Sequence, residues 1–213
     1  MIAPSRGKLS NMAQEPFDPA TFRVIQRSRA FFYERGYSRA TMGDLADACR
    51  LTRRGLYHHF RSKEELFRAG VRLSNEMNVG AGDRAARAAL TVGGSAVDVL
   101  AAWLDARFGE TRREVARSRH GEELNTLVFR LCHDLLVDLG KETNERLATL
   151  IRELCGLGLL RLRNGITAGE MATLIGDGAR GVNQARPPVP NGKIAARYRL
   201  VTEAILYGTA ERD

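Results

Sequence analysis

The sequence predicts an all-α fold, and three observations predict it. Apolar residues recur at three- and four-residue intervals from Val24 to Leu206, with no convincing two-residue alternation. Capping signatures, a hydroxyl residue followed three positions on by an acid, stand at Thr41 with Asp44, Ser62 with Glu65 and Thr167 with Glu170. Clusters of glycine or proline separate the periodic segments, at Val79 to Gly82, Gly93-Gly94 and Pro187 to Pro190. Together these define about nine helices and no sheet.

Residues 1–17 are polar and aperiodic, which predicts a disordered arm, and Met12 offers a second start site within it. Asp18 then caps a helix with Pro19 in its first position, and Val24, Ile25, Ser28, Phe31 and Phe32 share one face. Gly36 is placed to end it. Thr41 starts the next helix, with Leu45, Ala48 and Cys49 as its apolar side, and Thr52 caps a short third helix carrying Leu56 and Phe60. Ser62 opens a helix that the pattern carries to about Asn78, with Leu66, Phe67, Ala69, Gly70 and Leu73 as its small or apolar members. Beyond the glycine breaks, Ser95 caps a helix containing Val99, Leu100, Trp103 and Leu104. Leu124, Leu127, Val128, Leu131 and Leu135 predict one amphipathic helix, and Leu147, Leu150, Ile151 and Leu154 the next. Thr167 opens a helix with Met171, Leu174 and Ile175, and the prolines precede a last helix with Ile194, Leu200, Val201, Ile205 and Leu206.

Composition narrows the function. With 213 residues, 44% hydrophobic and 27% charged, the chain can bury a core and does not read as disordered. Three widely spaced cysteines do not make a disulfide-stapled scaffold. No apolar run approaches the ~18 residues of a membrane span, and the first residues lack the apolar core of a signal peptide, so a cytoplasmic protein is expected. The charge is uneven: residues 1–80 carry 14 Lys plus Arg against 8 Asp plus Glu, and residues 81–213 carry 19 against 17. Arg50, Arg53, Arg54, Arg61 and Lys63 fall in one stretch without an acid, which suits a polyanion; a solvated charged face is the plain alternative.

Two short helices joined by a tight turn within residues 41–60 form a helix-turn-helix candidate, whose second helix enters the major groove of DNA by its N-terminal end. Thr52, Arg53, Arg54 and Gly55 occupy that end. Arginine can bond guanine O6 and N7 together, and Gly55 lets the backbone approach a base. Leu56 and Phe60 point inward. Tyr57, His58, the Thr41 hydroxyl and Lys63 are placed to meet phosphates, while His59 is expected to pack between helices.

The segment from Glu34 to Phe67 resembles the DNA-binding domain of the tetracycline-repressor-like (TetR) family of bacterial regulators. Phe32, Gly36, Thr41, Leu45, Ala46, Leu56, Tyr57, His59, Phe60, Lys63, Glu64, Glu65 and Leu66 carry the resemblance. It implies an all-α homodimer whose subunits pair a DNA-binding head, residues 18–66, with a ligand-binding and dimerisation domain, residues 67–213, through a connecting helix at about 62–78. It also implies a double-stranded operator and release by a small-molecule effector. Two positions depart from the pattern: Arg50 stands where the family has glycine at the turn, and Arg54 where it has a small residue. In a left-handed turn Arg50 costs roughly 1 kcal/mol relative to glycine.

Other readings compete. Cys132-His133 and Cys155 invite a metal or thiol site, but no second ligand cluster supports one and no cofactor is expected. Trp103, Phe108, Phe129 and His133 are candidate ligand-pocket residues, with core packing as the alternative for the aromatics. The four histidines and scattered acids form no local catalytic signature, so an enzyme is the weaker hypothesis, and a DNA-binding dimer without ligand is a third. Helices near 168–185 and 192–207 are expected to form the dimer, with Gly176, Gly178, Ala179 and Gly181 allowing close approach.

Overall fold

A computed structural model describes residues 17–163 and 165–208, so all of the expected arm except Phe17 lies outside the described residues. Among them are nine helices and no strand. Helix α1 is Pro19–Arg35, with Asp18 Oδ1 accepting from the Ala20 and Thr21 amides at 2.9 and 3.1 Å. Gly36 ends it at φ +83°, donating its amide to Phe32 O. Helix α2 is Met42–Cys49, opened by a reciprocal Thr41–Asp44 capping box, and α3 is Arg53–His59, capped by Thr52. Helix α4 is Lys63–Thr91. Helix α5 begins as Ala96–Leu104, passes through a π-helical turn at Asp105–Gly109 and continues as Glu110–Arg117. Helices α6 (Gly121–Leu131), α7 (His133–Gly156), α8 (Ala168–Gln184) and α9 (Ile194–Tyr207) complete the order.

Two boundaries differ from the sequence pattern. The connecting helix does not stop near Asn78 but runs through Val79–Gly82 to Thr91. Glycine in a helix interior costs ~1 kcal/mol, yet Gly82 lies directly against Trp103: a Cβ there would come within 3.0 Å of the indole nitrogen. The glycine is the space into which a fully buried tryptophan packs, and Trp103 Nε1 donates to Asp83 Oδ1 at 3.0 Å on the next residue. Burial of that ring offsets the lost propensity. Second, the stripe from Leu124 to Leu135 is divided at Cys132, where φ −126° and ψ 22° leave the helical region. Arg68 bonds the freed end of α6, reaching Leu131 O and the Asp134 carboxylate.

Two apolar cores result. One joins the C-terminal half of α4 with α5, the later turns of α7, and α8 and α9, around Trp103, Leu147, Ile151, Ile175 and Tyr198. The other gathers Ile25, Phe32, Leu45, Leu56 and Leu66 with Leu124, Leu127, Leu135 and Leu139. Helix α6 and the start of α7 thus share the core of the head, so apolar contact does not separate at residue 66. No helix among the described residues is long and apolar enough to cross a membrane.

Candidate functional site

The turn between α2 and α3 is tight because Arg50 adopts φ 57°, ψ 43°, the left-handed conformation that glycine takes without cost. Its neighbour Cys49 is held from below: Arg27 Nη1 donates to Cys49 O at 2.9 Å, and the buried thiol lies 3.3 Å from Ser28 Oγ. Burial pushes that thiol's pKa up, so it stays protonated and packs as a small apolar group. Thr52 Oγ1 accepts the Gly55 amide at 3.0 Å, which leaves its hydroxyl hydrogen for a ligand. The nearest atom to a Cβ at Gly55 would be that same oxygen, at 3.3 Å.

From this anchored start, α3 presents Thr52, Arg53, Arg54, Tyr57 and His58 to solvent while Leu56 and Phe60 are buried. Gly55 is half-buried between them. Arg53 stacks over the Tyr57 ring at 5.8 Å, and neither Arg53 nor Arg54 forms an ion pair among the described residues. His59 points back, its Nδ1 3.0 Å from Thr21 Oγ1, as expected of a packing residue. Two expected phosphate contacts are already engaged. The Thr41 hydroxyl donates to Asp44 Oδ2 at 2.7 Å within its own cap. Lys63 does not stand free: Nζ donates to Tyr37 O and Ala40 O at 2.9 and 2.8 Å and lies 4.3 Å from the centre of the Tyr37 ring. Partial burial draws its pKa below the ordinary lysine value, and one ammonium hydrogen remains to face outward.

A cavity of about 170 Å³ lies where head and body meet, between α1, α4, α5, α6 and α7. Its walls are mostly apolar, with Phe32, Phe67, Val128 and Leu139 prominent, and its polar groups include Arg29, Asn75, Asn78 and Arg107. Arg29 is paired with Glu114, and Asn78 donates to Thr111 Oγ1 at 2.8 Å. None of the four pocket residues expected from sequence lines this cavity. Trp103 and Phe108 are buried in the body core, edge to face at 6.4 Å, because the tryptophan fills the gap over Gly82. Phe129 and His133 are exposed, on the outer sides of α6 and α7. No group of three or more His, Cys, Asp and Glu gathers among the described residues.

The head is also tied to the body by a set of polar bonds. Ser38 donates its amide and hydroxyl to Glu123 Oε1 at 2.8 and 2.6 Å, and Ser118 Oγ donates to Tyr33 O at 2.5 Å. The Ser38 hydroxyl, chief among these partners, holds the Glu123 pKa below the usual carboxylate range. Gly36 is part of the same joint, since a Cβ there would lie 2.8 Å from both His120 Nδ1 and Glu123 Oε2.

Comparison with known proteins agrees with this geometry. Residues 24–69 match the family described as bacterial regulatory proteins, tetR family. Over 46 residues the chain is 39% identical to the HTH-type transcriptional regulator TtgR of Pseudomonas putida, a stretch that spans 22% of this chain and 22% of that regulator. Solved structures extend the likeness to the whole fold. A transcriptional regulator from Cytophaga hutchinsonii superposes with a TM-score of 0.65 at 17% identity, covering 89% of this chain and 95% of that one. Thermus thermophilus FadR, a TetR-family repressor in complex with lauroyl-CoA, gives 0.60 at 18% identity, covering 91% and 96%. In sequence, residues 24–69 are those of the TetR family of bacterial regulatory proteins, and the helical body that carries them has the fold of the solved regulators.

Proposed function

We propose that the protein is a cytoplasmic transcriptional repressor that binds a palindromic operator as a homodimer and releases it when a small molecule occupies the joint cavity. The observation that carries this reading is the N-terminal end of α3: a free hydroxyl, two unpaired guanidinium groups and a side-chain-free backbone on one exposed surface. Such groups match the donor and acceptor pattern of the major groove. The cavity supports the second half. Phe32 and Tyr33 of the head form one wall and helices of the body the others, so a ligand there contacts both bodies at once. To release DNA it must prefer the arrangement in which the two reading helices no longer match successive grooves. Lauroyl-CoA is the ligand of the Thermus thermophilus regulator, and the likeness to that protein is one of fold alone.

Selection of an operator from random duplex DNA, followed by titration at several salt concentrations, tests the reading. A palindromic consensus with affinity falling steeply in salt is expected. Binding without sequence preference would refute it.

A further inference from the structure

Arg107 occupies the middle of the π-helical turn of α5 and lines the joint cavity. The insertion of one residue into a helix rotates the later turns by about 100°, and such insertions are frequent at functional sites. Here the turn delivers a guanidinium to the interior. Its Nη2 donates to Asn75 Oδ1 and, at 3.3 Å, to Thr143 Oγ1, both neutral groups. No carboxylate pairs with it among the described residues, and Nε is buried without a partner. Glu76, adjacent in sequence to Asn75, is set among Arg72 and Glu142 instead. The other arginine of the cavity, Arg29, already has Glu114. A half-buried cation whose buried Nε has no partner and which has no anion is costly to keep, and an anionic ligand relieves that cost.

Resting on the reading of this cavity as the effector site, we propose that its ligand is a small monocarboxylate with a compact apolar body, whose acid group is bound by Arg107. Three features fix the class. A guanidinium pairs well with a carboxylate, and here Asn75 and Thr143 hold Nη2 in place while Nε and Nη1 have no partner among the described residues. A single unpaired guanidinium neutralises one negative charge, so a dianion such as a phosphate monoester would bury an uncompensated charge. The volume of about 170 Å³ is close to that of an engineered cavity of ~150 Å³ that takes up benzene, so one ring or a short alkyl chain fits within the apolar walls.

The test compares acids with their neutral isosteres: benzoate and hexanoate against benzamide and hexanamide, read by melting shift and titration calorimetry on the full chain. The acids are expected to bind at least tenfold more tightly, and Arg107→Met to bring them down to the amides. Equal binding of acid and amide, no binding by either acid, or an acid preference that survives Arg107→Met would overturn the proposal. Should that variant fail to fold, the acid-to-amide ratio of the unaltered protein decides alone. Adding the selected operator separates the two readings. Acids that bind through Arg107 yet leave operator affinity unchanged establish the acid site and sink the effector role. A neutral compound that fills the cavity and releases operator, while the acids do not bind, does the reverse.

Discussion

Lys63 shows how one side chain can carry a structural duty where sequence suggests only a contact with DNA. Its ammonium group satisfies two backbone carbonyls, Tyr37 O and Ala40 O, in the loop that sets α2 against α1. Lys63→Ala leaves both without that donor, so a loss of stability of about 1–3 kcal/mol is expected, together with weaker binding to every DNA sequence. Urea unfolding checks it, because a lysine that only met phosphates would leave the midpoint unmoved. Arg53 and Arg54 belong to the opposite case. Both are exposed and unpaired, so Arg53→Ala or Arg54→Ala is expected to leave the unfolding midpoint in place. Each should cost about 1–3 kcal/mol of discrimination at the base pair it reads, measured against a panel of operators with single substitutions.

At the scale of the element, Gly80 and Gly82 lie two residues apart in α4 with opposite expectations. Propensity alone says that alanine stabilises both by up to ~1 kcal/mol. At Gly80 the nearest atom to an added Cβ is the flexible end of Arg84, at 3.4 Å, so Gly80→Ala should raise the melting temperature slightly. At Gly82 three atoms of the buried Trp103 indole lie 3.0 to 3.2 Å away, and overpacking costs about 1–3 kcal/mol. Gly82→Ala should therefore destabilise, and thermal unfolding of the pair of variants gives the comparison. The same contrast explains what is legible in the sequence. The caps at Asp18, Thr41, Thr52, Ser62, Ser95 and Thr167 all form, because a cap is settled within four residues. The α2–turn–α3 unit and its outward residues are readable for that reason. Gly82 reads as a break because its partner is on another helix, and Arg107 does not stand out because nothing local announces a π turn. Trp103 and Phe108 have the chemistry of cavity residues, but the cavity lies where helices distant in sequence meet.

For the whole molecule the contact to test is the one proposed between two copies. Helix α9 cannot be deleted to test it, since Ile194, Tyr198 and Thr202 are buried in the body of the same chain. Gly178 is likewise used internally, against Val201 and Ile205, whereas Gly181 has open space around it. What remains outward is an exposed stripe on each helix: Leu174, Asp177 and Gly181 on α8, and Ala196, Leu200, Glu203 and Tyr207 on α9. Leu174 and Leu200 are 51% and 54% exposed, so a charged residue at either leaves the monomer's core intact. Against an identical copy an added carboxylate is buried and meets the like charges of Asp177 and Glu203, because a two-fold interface sets like patches together. Leu174→Glu with Leu200→Glu is therefore expected to keep helical content and melting temperature near those of the unaltered chain in its monomeric form. Light scattering should show the unaltered chain as a dimer and the variant as a monomer. Operator affinity should fall by far more than the loss of any single base contact, because the two reading helices no longer arrive as one unit at half-sites about 34 Å apart. A variant that stays dimeric with unchanged operator affinity would place the interface elsewhere on the body, and one that binds as a monomer with full affinity would refute the paired-half-site mechanism itself.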